Sequence, residues 1–178
     1  MKASQGPHLE FHADSMLGDA GRFLVIGDVH GNFAMLQRLL EVIGYDECKD
    51  WLIFLGDLID RGPHSAEVLQ WFAGQTRATS LLGNHEAMML EAQCSGRAHR
   101  IWNGNGGGWS VHLDKECLAE YRRIVEDFPL SVRLILDGGR KVGLVHAEVR
   151  PMYDWSDVQL ARYQVGDGNG LDECPDST

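Results

Sequence analysis

Polar residues that can bind metal ions or transfer protons recur in three short motifs of this 178-residue chain. The motifs are GDVHG at 27–31, GDLIDRG at 56–62 and GNHE at 83–86, and His146 follows a further apolar run. Imidazole and carboxylate together suit Mn, Fe or Zn, and one carboxylate can bridge two such ions. The residue types therefore indicate a site for a pair of divalent metal ions.

Each of these polar groups follows a short apolar run that predicts a buried β-strand. The runs are 23–26, 51–55, 79–82 and 142–145, and all of them are too short for buried helices. Open α/β sheets place their ligand crevice beyond the carboxyl ends of the strands. We therefore expect the polar groups to converge at one edge of a sheet.

Helical patterns separate the predicted strands. The apolar spacing predicts one helix capped by Asn32, one after Pro63 and a longer one over 114–128. Residues 130–145 predict a β-hairpin with a glycine-containing turn. The alternation predicts a layered α/β domain in which helices cover a mixed sheet.

Three segments fall outside this alternation. Residues 1–21 are interpreted as an N-terminal extension, and 164–178, rich in Gly and Asp, as a disordered tail, which leaves 22–163 as the domain. Residues 94–112 contain the glycine-rich run NGNGGGW at 103–109. They are predicted to form an irregular, mobile loop that could serve as a lid.

Composition limits the class of partner. The formal net charge is −10, so we expect no nucleic-acid partner, because neutralising a phosphate backbone requires clustered Lys and Arg. The four cysteines form no CxxC pair, and no apolar run approaches the roughly 20 residues that span a bilayer. We therefore expect a cytoplasmic protein with no membrane partner, and nothing in the composition indicates an oligomeric state.

The motif series resembles that of the metal-dependent phosphoprotein phosphatases. GDVHG, GDLIDRG, GNHE and the HAE at 146–148 occur in the family's order, and the NGGGW at 105–109 is similar to bacterial and bacteriophage-lambda-type members. The resemblance covers about residues 22–160. It implies the calcineurin-like metallophosphoesterase fold, a layered α/β/α arrangement with a mixed β-sheet.

The resemblance implies a metal-binding role for five residues. Asp28 and His30 would bind the first ion, Asp57 would bridge the two ions, and Asn84 and His146 would bind the second. Manganese is the expected metal, with iron or zinc as alternatives. The two ions would activate a water molecule that attacks phosphorus.

Three further residues would act on the phosphoryl group and the leaving group. By the same resemblance, His85 would be the general acid, Asp60 would orient its imidazole, and Arg61 would bind the phosphoryl oxygens. A Ser or Thr alkoxide is a poor leaving group, so a positioned acid is worth roughly 10²–10⁴ in rate. The histidines without such a context are interpreted as surface or hydrogen-bonded residues: His8, His12, His64, His99 and His112.

The chain departs from the family pattern after His146. The family supplies one more metal-binding histidine, whereas no histidine follows His146 in this sequence. We therefore expect the second metal position to have one ligand fewer, unless Glu148 replaces it. We also expect the sheet to lack the family's last strands.

Three functions are compatible with the sequence. The favoured one is a Ser/Thr protein phosphatase that acts on a phosphoprotein or phosphopeptide. A dinucleoside polyphosphate hydrolase of the symmetrical diadenosine tetraphosphatase type uses similar motifs and the same metal chemistry. The third is a metal-binding remnant with little activity, which the absent histidine favours. Turnover of a phosphopeptide against diadenosine tetraphosphate discriminates between the first two.

Overall fold

The computed structural model describes residues 8–17 and 21–148, so the predicted tail and the end of the predicted domain lie outside the described residues. The strands are β1 His8–His12, β2 Phe23–Ile26, β3 Trp51–Phe54, β4 Ala78–Ser80, β5 Ser131–Ile135 and β6 Lys141–Val145. The helices are α1 Ala13–Met16, α2 Phe33–Val42, α3 Ser65–Ala73, α4 Asn84–Glu91, α5 Gly96–Gly104 and α6 Lys115–Glu126. Short 3₁₀ helices cover Gly107–His112 and Asp137–Gly139. Within these ranges no helix combines the length and the apolar character that crossing a bilayer demands.

The described strands form two three-stranded sheets. In one sheet β2, β3 and β4 are parallel and lie in that order, with Ile26 beside Phe54 and Phe54 beside Ser80. In the other sheet β5 lies between β1 and β6, parallel to β1 and antiparallel to β6. The second sheet is therefore mixed, as predicted, whereas the first sheet is parallel.

Alternate residues of β3 enter two different hydrophobic clusters. Leu52 and Phe54 pack in the larger cluster, which includes residues of α2, α3 and α6. Ile53 packs in the smaller cluster with Phe11 of β1 and Val132 of β5. All three β3 residues are fully buried. The described layers are therefore helices, the first sheet and the second sheet, and the central strand β3 of the first sheet is buried on both faces.

The strand β1 lies in the segment interpreted as an N-terminal extension, where no strand is predicted. It pairs in parallel with β5, from His8 beside Ser131 to His12 beside Ile135. Its sequence, HLEFH, is mostly polar, and Phe11 is its buried side chain. The partner strand lies 123 residues further along the chain, so no local pattern reveals the pairing.

Residues 94–112 are largely helical, so the prediction of an irregular loop is wrong. The Ser95 side chain caps α5, and Gly106, with a φ of 113°, leads from α5 into the following 3₁₀ helix. A Cβ atom on Gly107 would lie 2.6 Å from the indole ring of Trp102, which is fully buried. The glycines thus allow a sharp turn and close packing.

The predicted hairpin and the long helix are confirmed. Gly138 and Gly139, both with a φ of 74°, make the turn between β5 and β6. Asp114 caps α6 by accepting a hydrogen bond from the Cys117 amide. Asn32 precedes α2 as predicted, but its side chain makes no capping hydrogen bond.

Replacement of Phe11 by alanine tests whether β1 is part of the folded domain. Phe11 is 9% exposed, and its ring centroid lies 5.2 Å from that of Trp51. Phe11→Ala should lower the free energy of unfolding by about 3 kcal/mol, because a buried aromatic ring is replaced by a cavity. Met35→Ala, at a site 63% exposed, is the control and should change it by less than about 0.5 kcal/mol. Equal effects in chemical denaturation would show that β1 contributes nothing to the domain.

Candidate active site

The predicted site residues meet where the two sheets come together. GDVHG follows β2, GDLIDRG follows β3, and GNHE leads from β4 into α4. His146 follows β6 of the other sheet, and its Nδ1 lies 2.7 Å from the carbonyl oxygen of Leu55 at the end of β3. The expected convergence beyond the strand ends is therefore present.

Asp57 lies at the centre of this convergence. Its carboxylate is buried; Oδ2 lies 3.8 Å from Nε2 of His30, and Oδ1 lies 3.5 Å from Nε2 of His146. Each imidazole has a second oxygen nearby: Asp28 Oδ2 lies 3.6 Å from His30, and Asn84 Oδ1 lies 3.0 Å from His146. The two oxygens of Asp57 thus face two separate groups, as a bridging carboxylate requires.

The ligand atoms of these groups are close enough to share an ion. Those of Asp28, Asp57 and His146 all lie within 4.8 Å of one another, and so do those of His30, Asp57 and His85. Asp57 belongs to both groups. Imidazole nitrogen and carboxylate oxygen in this proportion are a donor set for a first-row divalent metal.

The hydrogen bonds of the two histidines fix which ring nitrogen faces the cluster. Nδ1 of His30 lies 3.1 Å from the carbonyl of Ile59, and Nδ1 of His146 lies 2.7 Å from that of Leu55. A carbonyl only accepts, so Nδ1 carries the proton in each ring and Nε2 presents a lone pair. Because Nε2 of His146 and Oδ1 of Asn84 are then two acceptors 3.0 Å apart, the arrangement fits a cation between them.

His85 has a different environment from the other two histidines. It is fully buried, and its Nδ1 lies 2.8 Å from Oδ2 of Asp60. Its Nε2 has no hydrogen-bond partner among the described residues and lies 3.9 Å from Oδ2 of Asp57. A buried polar atom without a partner is uncommon and requires an explanation. Here that nitrogen faces the metal-ligand cluster.

The carboxylate of Asp60 is surrounded by donors. Trp102 Nε1 donates to Oδ2 at 2.9 Å, and Trp109 Nε1 donates to Oδ1 at 2.7 Å. Burial raises the pKa of the Asp60 carboxyl, while the hydrogen bonds from Trp109, His85 and Trp102 act in the opposite direction. The sequence analysis assigned no role to either tryptophan, although Trp109 is part of the NGGGW motif.

Glu86 is a second site-forming residue that the sequence analysis quoted but did not interpret. Its fully buried carboxylate accepts hydrogen bonds from the amides of Asp57, Leu58 and Ile59 at 2.8, 2.8 and 3.3 Å. It also accepts one from Gly83 at 3.1 Å. Burial raises the pKa of Glu86 to about 7, and the backbone donors act against this rise. Glu86 therefore ties the GDLIDRG loop to the GNHE turn.

Four of the predicted site residues adopt a left-handed backbone conformation. The φ angles are 47° at His30, 52° at Asp57, 73° at Asp60 and 65° at Arg61. Residues with a Cβ atom rarely adopt this region, and each instance costs roughly 1–3 kcal/mol. Such strain concentrates at functional sites, where surrounding contacts enforce it. The strained positions here coincide with the residues predicted to do chemistry.

Arg61 is held at its backbone, and its exposed side chain reaches the metal-ligand cluster. Its amide donates to the carbonyl of Gly106 at 3.3 Å, and a Cβ atom on Gly106 would lie 2.5 Å from the Arg61 nitrogen. The Arg61 residue is exposed, and its Nη1 donates to Nε2 of His30 at 2.7 Å. The guanidinium therefore lies at the metal-ligand cluster without being buried.

A comparison with known protein families agrees with this geometry. The family model described as Calcineurin-like phosphoesterase matches residues 21–167. The chain belongs to this family. Members of this family are phosphoesterases with a dinuclear metal site, and the ligand groups around Asp57 are candidates for such a site in this chain.

Individual relatives of this calcineurin-like phosphoesterase carry two kinds of name. The chain is 41% identical to Serine/threonine-protein phosphatase 1 of Salmonella typhimurium over 96 residues, which is 54% of this chain and 44% of that protein. It is 49% identical to a symmetrical bis(5'-nucleosyl)-tetraphosphatase of Methylococcus capsulatus over 70 residues, 39% of this chain and 25% of that protein. These matches span less than half of the length of either relative.

A solved structure shows the same fold. A protein serine/threonine phosphatase from Saccharomyces cerevisiae superposes with a TM-score of 0.62 at 20% sequence identity. The superposition covers 93% of this chain and 50% of that one. The calcineurin-like metallophosphoesterase fold is therefore confirmed.

All eight predicted site residues lie in this one region: Asp28, His30, Asp57, Asp60, Arg61, Asn84, His85 and His146. Their individual roles as metal ligands, acid or phosphoryl-binding group stay predictions. Glu148, which could replace an absent ligand, is exposed and belongs to neither described ligand group. The segment in which the family's further histidine is expected lies outside the described residues.

Replacement of Gly106 tests whether the 94–112 segment supports Arg61. Gly106→Ala places a methyl group against the Arg61 backbone at a φ of 113°, so it should lower the free energy of unfolding by at least about 1 kcal/mol. It should also lower kcat/KM for 4-nitrophenyl phosphate roughly 10- to 100-fold, because small displacements of binding groups are costly. Gly104→Ala is the matched control, since nothing lies within 4 Å of its Cβ position. Wild-type turnover in Gly106→Ala would show that the 94–112 segment does not support Arg61.

Proposed function

We propose that this calcineurin-like phosphoesterase hydrolyses phosphoserine and phosphothreonine esters of proteins. The observation that carries the proposal is the buried pair of His85 and Asp60, 2.8 Å apart, with His85 Nε2 directed at the metal-ligand cluster. Such an imidazole is placed to donate a proton to an oxygen that leaves phosphorus at the cluster. As an imidazolium, His85 would donate its Nδ1–H to Asp60 and transfer the proton on Nε2 to the leaving oxygen.

The nature of the leaving group supports a protein phosphatase over a nucleotide hydrolase. A serine or threonine side chain leaves as a strongly basic alkoxide unless it is protonated. A nucleoside diphosphate leaves as a stable anion and needs little protonation. A general acid fixed as firmly as His85 therefore contributes more to hydrolysis of an alkyl phosphate, where proton transfer is worth roughly 10²–10⁴ in rate.

The metal ions would be held by the residues around Asp57. Asp28, His30 and Asp57 would hold one ion, and Asp57, Asn84 and His146 the other, with manganese as the proposed metal. When bound, two such ions lower the pKa of a shared water and neutralise charge on phosphoryl oxygens. The burial of Asp57 and the carbonyl contacts of both histidines keep this donor set in place before any ion arrives.

Arg61 would bind the substrate's phosphoryl oxygens. Its guanidinium is exposed and donates to His30 at 2.7 Å, so it lies within reach of a group bound at the cluster. A planar guanidinium presents paired donors that match two phosphoryl oxygens, whereas a lysine would present a single point charge. Its backbone amide, bonded to Gly106, limits how far the residue can move.

A symmetrical dinucleoside tetraphosphatase is the second candidate. The 49% identity with the Methylococcus capsulatus protein of that name favours it. The longer match, over 96 residues, is to a protein named as a serine/threonine phosphatase. The proposed preference for phosphoproteins therefore depends on the acid at His85 and requires a direct comparison of substrates.

A comparison of two substrates tests the proposed function. In Mn²⁺-loaded protein we expect kcat/KM for a phosphothreonine peptide to exceed that for diadenosine tetraphosphate, and chelation should abolish both activities because the water loses its activating ions. Release of inorganic phosphate and of ADP measures the two reactions. The reverse ranking would assign the chain to nucleotide hydrolysis. If Mn²⁺ binds but neither substrate is hydrolysed, the result would favour the third function, a metal-binding protein with little activity.

The acid is tested by the dependence of turnover on the leaving group. His85→Asn should lower turnover of a phosphoserine peptide by roughly 10²–10⁴ and that of 4-nitrophenyl phosphate much less, because nitrophenolate leaves without a proton. Asp60→Asn should act in the same direction but more weakly. His64→Asn is the control, because His64 is exposed and pairs with Glu67 at 3.0 Å. Equal losses on both substrates in His85→Asn would exclude the acid role.

A further inference from the structure

We propose that Trp102 and Trp109 are positioning residues, whose two indole N–H groups hold the Asp60 carboxylate in the orientation that aims His85 at the metal-ligand cluster. The proposal rests on the role of His85 in the proposed function. The 94–112 segment, which contains both tryptophans, would then support the general acid.

Both oxygens of Asp60 are engaged, and from different directions. Oδ2 accepts from His85 Nδ1 at 2.8 Å and from Trp102 Nε1 at 2.9 Å, while Oδ1 accepts from Trp109 Nε1 at 2.7 Å. Rotation of the carboxylate would break these hydrogen bonds together. Asp60 is fully buried, so no water can replace a lost donor without rearrangement of the site.

The two indoles are themselves immobilised by packing. Their rings meet edge to face, with centroids 6.1 Å apart and an interplanar angle of 86°. Trp102 is fully buried, and the backbone of Gly107 lies so close to its ring that any Cβ there would approach to 2.6 Å. Trp109 has Tyr121 of α6 on another side, at 6.2 Å between centroids. An indole has only two rotatable bonds, so packing of this kind fixes its N–H direction.

The choice of donor matters as much as its position. An indole N–H can only donate, so neither tryptophan can compete with Asp60 for the proton on His85 Nδ1. Asp60 therefore remains the acceptor for Nδ1–H, and the His85 ring keeps the orientation in which Nε2 faces Asp57. A hydroxyl or an amide in the same place could reverse its hydrogen bond and release the imidazole.

The chain offers a matched control for the loss of an indole. Trp51 in β3 has an Nε1 that is buried and has no hydrogen-bond partner among the described residues. Its ring packs against Phe11 at 5.2 Å, in the smaller hydrophobic cluster and away from Asp60. Trp51→Phe therefore removes an indole N–H from the fold without removing a donor from the site.

The decisive measurement is the ratio of kcat for a phosphoserine peptide to kcat for 4-nitrophenyl phosphate, in Mn²⁺-loaded protein. Trp102→Phe and Trp109→Phe should each lower this ratio about 10-fold, because part of the general-acid contribution is lost. KM for either substrate should stay within about twofold, since the indole N–H groups donate to Asp60 and not to a predicted metal ligand. Trp51→Phe should leave the ratio unchanged.

A second measurement is independent of catalysis and of metal loading. In protein labelled with ¹⁵N at its tryptophans, Asp60→Asn should shift the indole N–H signals of Trp102 and Trp109 and leave those of Trp51 and Trp71 in place. This readout covers the case in which Trp102→Phe fails to fold. Unshifted signals from Trp102 and Trp109 would show that the hydrogen bonds to Asp60 do not form, and would overturn the proposal.

The outcomes separate this proposal from the proposed function. A normal ratio in folded Trp102→Phe and Trp109→Phe, together with a lowered ratio in His85→Asn, would overturn the positioning role and leave the acid intact. A normal ratio in His85→Asn would overturn the acid role itself, and the positioning role with it. A lowered ratio in His85→Asn and in both tryptophan variants, but not in Trp51→Phe, is the result that we expect.

Discussion

The site depends on the hydrogen bonding of six consecutive backbone amides, from Asp57 to Gly62. The loop that contains them includes three left-handed residues with side chains, Asp57, Asp60 and Arg61. Such a loop persists only where its surroundings supply enough contacts to offset a strain of roughly 1–3 kcal/mol per residue. The acceptors come in order from Glu86 for the first three amides, then Ser65 Oγ, then the carbonyls of Gly106 and His30. No amide of the loop is left without a partner.

These acceptors explain why distant motifs form a single site. Glu86 stands beside His85, so the carboxylate that holds the loop also fixes the start of the helix that carries the imidazole. The carbonyl of Gly106 belongs to the turn between Trp102 and Trp109, and that of His30 belongs to a predicted metal ligand. Apart from Ser65, the acceptors of the loop therefore lie in segments that also place His85, His30 or a tryptophan donor to Asp60 beside it.

The metal-ligand residues could be predicted from the sequence, because their residue types and their positions after apolar strands are both local features. Asp28, Asp57 and His146 follow apolar strands, and their convergence follows from strand ends alone. Trp102 and Glu86 were missed because their partners, Asp60 and the amides after Asp57, lie 42 and about 28 residues away along the chain. Hydrogen bonds at such separations leave no local periodicity to detect.

The misinterpretation of residues 94–112 has a more specific cause. The run of glycines was taken as conformational freedom, whereas Gly106 and Gly107 lack a Cβ because Arg61 and Trp102 occupy that space. One local feature of the sequence, Ser95, favoured a helix instead. Ser95 is a favourable N-cap residue at the start of α5, and it accepts a hydrogen bond from the amide three residues on.

The parallel pairing of β1 with β5 has a consequence for how the chain reaches its native state. Strands β2, β3 and β4 find their partners within about 30 residues, so that sheet closes short loops. The β1 strand must wait until Ser131 and its neighbours have been synthesised, and the entropy of closing so long a loop delays its docking further. During translation the chain would therefore expose one face of the first sheet, at Ile53 and Leu81, until β1 and β5 cover it. The kinetic vulnerability of this protein to aggregation lies in that interval.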